Sequence, residues 1–379
     1  MKTAVTELFG IEFPILAFSH CRDVVAAVTN AGGLGVLGAV AHSPEQLEID
    51  LDWIETETKG RPFGVDLLIP QKFVGSAEGG FDRGQLADLL PEEHRRWLDA
   101  LLDEHGIPAL PPAADGAGSS RQFGGMRIDP TSMAPLVDIA LSRPIQLLAS
   151  ALGPPPPWLI ERARSADIAV AALAGSLAHA ERHHAAGADL IIAQGTEAGG
   201  HTGEEAAVVL VPGVAAPRAP TRGLAARRVA RGRQLAAGLA LGAEGVWCGS
   251  VWLTTREAET TPVIREKFLA AGSSDTVRSR SMTGKPARMI RTAWTEAWES
   301  DGSPGPLPMP LQPMLIAEAQ RRIARVAAGD SSAARDLTTY FVGQVVGSMN
   351  DEPPAGRVVI EMVDEFIDVV QRLDRLCAE

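Results

Sequence analysis

Short apolar runs recur along the chain, each followed by a glycine-rich or polar turn and then by an Ala/Leu-rich stretch with helical spacing. The runs are Pro14–Phe18, Gly33–Val40, Pro62–Ile69, Pro144–Leu152, Ile168–Leu173, Leu190–Gln194 and Gly245–Leu253, with one more placed near Arg222–Ala226. They are continuous rather than alternating, as strands covered on both faces are. Strands that alternate with helices predict βα units and a parallel sheet. Eight such units predict an α/β fold of the (β/α)8, or TIM, barrel class.

Helix punctuation agrees with this beat. Asp23–Asn30 runs into Ala31-Gly32-Gly33, a glycine stop. Ser43-Pro44-Glu45-Gln46 supplies an N-cap, a proline at the first helical position and a first-turn acid. Leu177–Ala186 ends at Gly187, and Arg233–Leu241 ends at Gly242. Two segments break the beat. Gln71–Arg143 is too long for a βα connection, and holds a helical stretch at Glu92–His105 and a Pro/Ala/Gly/Ser-rich stretch, Ile107–Gln122, that reads as mobile. Val263–Pro354 holds an amphipathic helix, Gln312–Ala328, and little strand pattern. It reads as an inserted helical lid subdomain over the barrel mouth. Residues 1–262 and 355–379 then form the barrel domain, with Val358–Leu376 as a final amphipathic helix packed back on the wall.

Composition narrows the function. A hydrophobic fraction of 45% in 379 residues supports a large core, and the net charge of −12 without a basic block argues against nucleic-acid or anionic-membrane partners. Cys21, Cys248 and Cys377 are too far apart for a disulfide framework or a Cys-based zinc site, and fit a reducing cytoplasm. The start of the chain lacks the apolar run of a signal peptide, and Val24–Ala41 is broken by Thr29, Asn30 and glycines. No G-x-G-x-x-G follows the first strand, no Walker loop occurs and no H-E-x-x-H is present. The expected partner is therefore a small molecule, met by a monomer or homodimer.

The richest chemistry lies in Gln194-Gly195-Thr196-Glu197-Ala198-Gly199-Gly200-His201-Thr202-Gly203, after the apolar run Leu190–Gln194. In a barrel this is the C-terminal end of a strand, where reactions take place. Glycines allow close backbone approach to a ligand, and a histidine exchanges protons near neutral pH. Gly249-Ser250, at the end of the last run, falls where barrels often hold phosphate.

These segments, with Ala31-Gly32-Gly33-Leu34-Gly35, Phe63-Gly64-Val65-Asp66 and Gly343-Gln344, resemble the nitronate monooxygenase family, formerly called 2-nitropropane dioxygenase, over most of the chain. The resemblance implies an FMN-dependent TIM barrel that oxidises alkyl nitronates or nitroalkanes with dioxygen to a carbonyl compound and nitrite. His201 matches the catalytic histidine. Gln194, Gly199, Gly200 and Asp66 match positions around the flavin. Ala17, Phe18 and Ser19 match the strand end that lines its ring, and Gly249 and Ser250 match its phosphate end. Arg227-Arg228 stand where the family has a Gly-Gly pair at the phosphate, within Gly213–Arg233, a stretch of six arginines and no acid. An arginine forced to positive φ there costs about 1–3 kcal/mol, although its charge suits phosphate. Two alternatives follow: an FMN enoyl reductase on the same fold, and a flavin-less ligand-binding barrel.

Other residues carry smaller expectations. His20 faces the pocket or caps the next helix. Glu197 orients His201 or is solvated. His183 and His184 diverge by about 100° on a helix and read as solvated surface. Cys248 reads as core, Trp247 and Trp252 as packed against helices. Lys285 or Arg288 is placed to attract an anionic substrate.

Overall fold

The structure is a computed structural model that describes residues 1–69, 83–110, 130–215, 222–226, 229–329 and 331–378. Eight parallel strands close into a barrel: β1 (Ile15–Ser19), β2 (Leu34–Gly38), β3 (Phe63–Leu68), β4 (Leu147–Ala151), β5 (Ala169–Ala174), β6 (Leu190–Gln194), β8 (Arg222–Ala226) and β9 (Val246–Cys248). Ring order follows chain order, and β9 pairs with β1 to close it. Every apolar run of the sequence overlaps one of these strands, with β1 and β5 each running one residue past its run. The last run is shortened: the strand stops at Cys248, and Ser250–Thr254 turns into a 3-10 helix.

Alternation along each strand sorts its side chains. Leu16, Leu34, Val36, Leu147, Ala149, Ala171, Leu190, Ile192 and Trp247 fill the interior of the ring. Trp247 was expected against helices. Its position in the two-residue alternation turns it inward, where its ring stacks on Phe18 with centroids 6.3 Å apart. Trp252 packs outside, among the helices. The N-terminal helix Ala4–Phe9 contributes Val5 and Phe9 to the interior cluster and closes the lower end.

The predicted helices appear with shifts of one or a few residues: Arg22–Asn30, Pro44–Thr58, Glu92–Glu104, Leu177–Ala185, Gly232–Ala240 and Leu311–Ala327. The final helix, Ala355–Cys377, packs on the helices Arg22–Asn30 and Gly232–Ala240, as an amphipathic wall helix should. Helix and strand touch backbone to backbone at Gly35, where an added Cβ would stand 2.3 Å from the Val25 carbonyl oxygen and 2.8 Å from its carbon. Gly35→Ala is therefore expected to destabilise the fold by about 1–3 kcal/mol through overpacking. Urea unfolding with an unchanged slope would measure it, and a loss below about 0.5 kcal/mol would contradict this contact.

The two irregular segments pack on one another. Leu98, Leu101, Leu102 and Ile107 join Trp294, Trp298, Leu315, Ile316 and Ile323 in a separate core. Arg322 fastens them further by donating to the carbonyl oxygens of Ile107 and Pro108 at 2.8 and 3.1 Å. Most of the stretch read as mobile, 107–122, lies outside the described residues. The 263–354 segment is not wholly helical. It contributes β10 (Thr276–Ser279) and β11 (Ala287–Ile290), which form an antiparallel ribbon with the two-residue β7 (Gly200–His201). Strands this short leave little apolar pattern, and their partner is some eighty residues away in sequence. Among the described residues no helix is long and apolar enough to cross a membrane.

Candidate active site

The inward positions at the upper strand ends form the floor of a cavity of about 420 Å³. Phe18 of β1, Gly38 of β2, Asp66 and Leu68 of β3 and Ala151 of β4 line it, with Gly249 just beyond β9. Ser19, Gly199, Gly200, His201, Ser250 and Thr283 complete much of the wall. Of the residues picked from the sequence, Phe18, Ser19, Asp66, Gly199, Gly200, His201, Gly249 and Ser250 are thus brought together. Gln194 shares the inward parity of Leu190 and Ile192, is buried, and its Nε2 has no hydrogen-bond partner. The Ala17 side chain has the opposite parity and packs outside the ring with Val24 and Val28. Arg227 and Arg228 lie outside the described residues.

His201 is placed by the ribbon rather than by its own loop. As part of β7 it pairs with Ala287, while Gly200 pairs with Arg288. Its Nε2 lies 2.8 Å from the Thr283 hydroxyl, which is also 3.2 Å from the Lys285 carbonyl oxygen. A hydroxyl can donate to a neutral ring nitrogen, or accept from a protonated one while turning its own hydrogen to the carbonyl. Thr283 can thus satisfy the ring in both charge states. Nothing near His201 in sequence signals this partner.

The loop before His201 is tied down along its length. The Thr196 N–H donates to the Glu205 carbonyl, and the Glu197 carboxylate accepts from the Ala207 N–H at the head of the helix Ala207–Val214. Glu197 is thus buried, not solvated. Arg288 was expected to meet substrate. It instead turns inward, donating from Nε to the Thr196 carbonyl at 2.8 Å and from a guanidinium nitrogen to the Thr276 hydroxyl at 3.0 Å. Neither it nor Lys285 lines the cavity. Burial lowers the Lys285 amine from its ordinary value.

Two glycines show why the motif needs them. Gly200 has φ +75°, a region that penalises a side chain. Gly203 lies against Gly175, beyond β5, so closely that an added Cβ would fall 1.9 Å from the Gly175 oxygen. Gly203→Ala is expected to push the His201 loop off its seat and cut turnover at least about tenfold, because misplacement of the reacting groups by about 1 Å is costly. Steady-state rates would show it. Turnover equal to wild type would contradict the contact.

Three further positions differ from their sequence reading or resolve it. His20 lines the cavity and donates from Nδ1 to the Gly38 carbonyl at 2.7 Å. His183 is buried, with Nε2 2.9 Å from the Leu173 carbonyl, and burial lowers its basicity. One of two adjacent helical histidines has to face the barrel here. Cys248 is wholly buried, and burial drives its thiol far above the ordinary range, consistent with a packing role. His42, which has no local pattern, lines the cavity and pairs with Asp50.

A closed parallel barrel with a loop-borne histidine at its C-terminal mouth has the layout of a (β/α)8 enzyme, in which reactions take place at that face. The chain belongs to the nitronate monooxygenase family, whose profile, described as "Nitronate monooxygenase", matches residues 2–365. It is accordingly an enzyme, and the family is one of flavin-dependent oxidoreductases. It is 61% identical over 376 residues to "Putative monooxygenase Rv1533" of Mycobacterium tuberculosis, covering 99% of both chains. It is 26% identical over 390 residues to "Probable nitronate monooxygenase" of Staphylococcus aureus, covering 98% of this chain and 99% of that one. Among solved structures it is similar to nitroalkane oxidase from Streptomyces ansochromogenes (25% identity, 98% and 100% coverage, TM-score 0.78). It is also similar to FabK from Thermotoga maritima (26%, 99% and 99%, TM-score 0.71).

Proposed function

We propose that this chain binds FMN over the barrel mouth and oxidises small alkyl nitronates with dioxygen, releasing a carbonyl compound and nitrite. The observation that carries the reading is His201 in the wall of the mouth cavity, with the buried, unpartnered Gln194 amide at the end of β6. A buried amide without a partner costs about 1–3 kcal/mol and suits a site completed by a polar ligand. The residues fit a flavin. Phe18, Leu68 and Ala151 offer apolar contact for a ring, and Asp66 offers it a polar partner. The close-set backbone at Gly199 leaves room beside Ser250, whose hydroxyl accepts from the Gly343 N–H at 2.9 Å. When bound, FMN would supply the electron acceptance and the oxygen chemistry.

The protein's own part is proton handling and exclusion of water. A nitroalkane carries an acidic α-hydrogen. Neutral His201 takes that proton on its ring, and the resulting imidazolium steadies the nitronate anion. Thr283 reorients to hold the ring through the change. The largely apolar wall strengthens this ion pairing relative to water.

The likeness to FabK favours one alternative, an enoyl reductase on the same scaffold. A paired assay on the FMN-loaded protein separates them. Nitrite should appear in air with an alkyl nitronate, with no consumption of NAD(P)H when an enoyl thioester is supplied. The reverse result would replace the first reading with the second.

A further inference from the structure

We infer that Phe341 decides which substrates the site accepts: its ring is the roof against which the alkyl chain of the substrate lies, and it restricts the site to short-chain nitronates and nitroalkanes. The inference deepens the nitronate reading and rests on it for the nature of the reacting group.

Strand pairing brings Phe341 beside His201. β11 pairs with β7 through Ala287 and His201, and two residues further along β11 an isolated antiparallel bridge joins Met289 to Phe341. β10 occupies the other edge of β11, where Val277 faces Met289. His201 and Phe341 thus sit side by side along one edge. Residues opposite one another in an antiparallel pair share a face of the sheet, and so do residues two apart on one strand. Both rings therefore project from the same face of the ribbon, and their centroids are 6.2 Å apart with planes tilted by 40°. Phe341 lines the mouth cavity together with His201 and is only partly buried, so its ring offers surface to a ligand there.

The roof is held from both sides. The Ile290 N–H donates to the Tyr340 carbonyl at 3.0 Å, and the Thr339 hydroxyl donates to the Ile290 carbonyl at 2.8 Å. Beyond Phe341, the Gly343 N–H donates to Ser250 Oγ, and the Gln344 N–H donates to the Glu197 carbonyl at 3.0 Å. Val342 between them is fully buried. The segment is thereby tied to the ribbon, to the end of the last barrel strand and to the His201 loop. A ring anchored in this way cannot swing aside without breaking backbone hydrogen bonds, so a chain too long for the space meets a wall.

The neighbourhood of the two rings gives the direction of the effect. A carbon placed for proton loss to His201 carries its substituents against the adjacent ring. Phe341 offers those substituents apolar surface and no hydrogen-bond partner, which suits a hydrocarbon chain and not the nitro group. The cavity holds about 420 Å³, near the low end for ligand pockets. A flavin ring over Phe18, Leu68 and Ala151 takes much of that volume. The space left under Phe341 suits a chain of a few carbons.

The test is kcat/KM of the FMN-loaded protein in air with the preformed nitronates of nitroethane, nitrobutane and nitrohexane, which keeps proton abstraction out of the comparison. Wild type should prefer the shortest. Phe341→Ala should raise the ratio of the longest to the shortest by about 10–200-fold, the discrimination a hydrophobic pocket supplies over such a change of size. Phe341→Trp should move the ratio the other way. A purely structural role would lower all three substrates alike and leave the ratio unchanged. Should Phe341→Ala fold poorly, Phe341→Leu should still shift the ratio in the same direction by less. A wild type indifferent to chain length, or ratios in Phe341→Leu and Phe341→Trp within about twofold of wild type, would overturn the inference. The two proposals fail separately. If wild type releases no nitrite from any nitronate, the reaction is wrong, and ligand-observed NMR with the neutral nitroalkanes then compares binding across the same chain lengths in wild type and Phe341→Leu. Tighter binding of the short chain, relaxed in Phe341→Leu, keeps the roof. Binding that ignores chain length, or no binding, sinks it too. Nitrite from all three nitronates with an unchanged ratio in every variant sinks only the role of Phe341.

Discussion

Replacing His201 with glutamine should cut turnover of a neutral nitroalkane by about 10²–10⁴-fold, the range supplied by a positioned general base. On a preformed nitronate the same variant should lose less than about tenfold, because the proton has already gone. The two substrates differ only in that proton, so their ratio isolates the base from binding and positioning. The expectation rests on the place of His201 in the cavity wall and on its 2.8 Å contact with Thr283. Glutamine keeps a polar group near the Thr283 hydroxyl while removing the basic nitrogen. Equal small losses on both substrates would remove His201 from the proton-transfer step and leave it a wall residue.

The second large effect is expected at Arg288. Its guanidinium is buried between the Thr196 carbonyl and the Thr276 hydroxyl, and so joins the His201 loop to the ribbon that carries Gly200 and His201. Burial lowers its pKa, the Arg278 charge lowers it further, and Glu197 opposes both. A guanidinium nonetheless stays charged at any working pH. Arg288→Met removes two bonds and leaves the Thr196 carbonyl without this donor. A loss of about 2–4 kcal/mol in unfolding free energy is expected, as for other broken buried charged networks. Arg288→Lys should recover little of it, because an ammonium is a point donor and cannot reproduce the planar fork. Chemical denaturation of the three proteins tests this. A change within about 0.5 kcal/mol for Arg288→Met would show that the loop is held by its other ties alone.

The contrast between these two residues shows what could be read from the chain. His201 stood out because a buried apolar strand runs straight into closely spaced glycines, a pattern visible within sixteen residues. The barrel was legible for a similar reason: strands covered on both faces are continuous apolar runs, and each meets a helix with its own cap or glycine stop. Arg288 and Thr283 were not legible as site residues. Each acts through a partner brought near by the fold: Arg288 on Thr196, Thr283 on His201. A lone arginine or threonine in an irregular stretch carries no periodic signal of such a partner. The short strands β10 and β11 escaped for the same reason. His183 shows the limit of local geometry. Adjacent helical positions do diverge, but the divergence does not say which ring meets the barrel. Ala17 shows the same limit at the level of one residue, since parity along β1 depends on register and turns Phe18, not Ala17, inward.

The central claim is that the mouth cavity is a flavin site. The most direct measurement is the visible absorption spectrum of the purified protein, before and after excess FMN and desalting. The account predicts a retained oxidised-flavin spectrum, with bands displaced from those of free FMN by the apolar wall. A protein that stays colourless after FMN is added and removed would contradict it, and would leave the barrel as a ligand-binding scaffold without its redox centre.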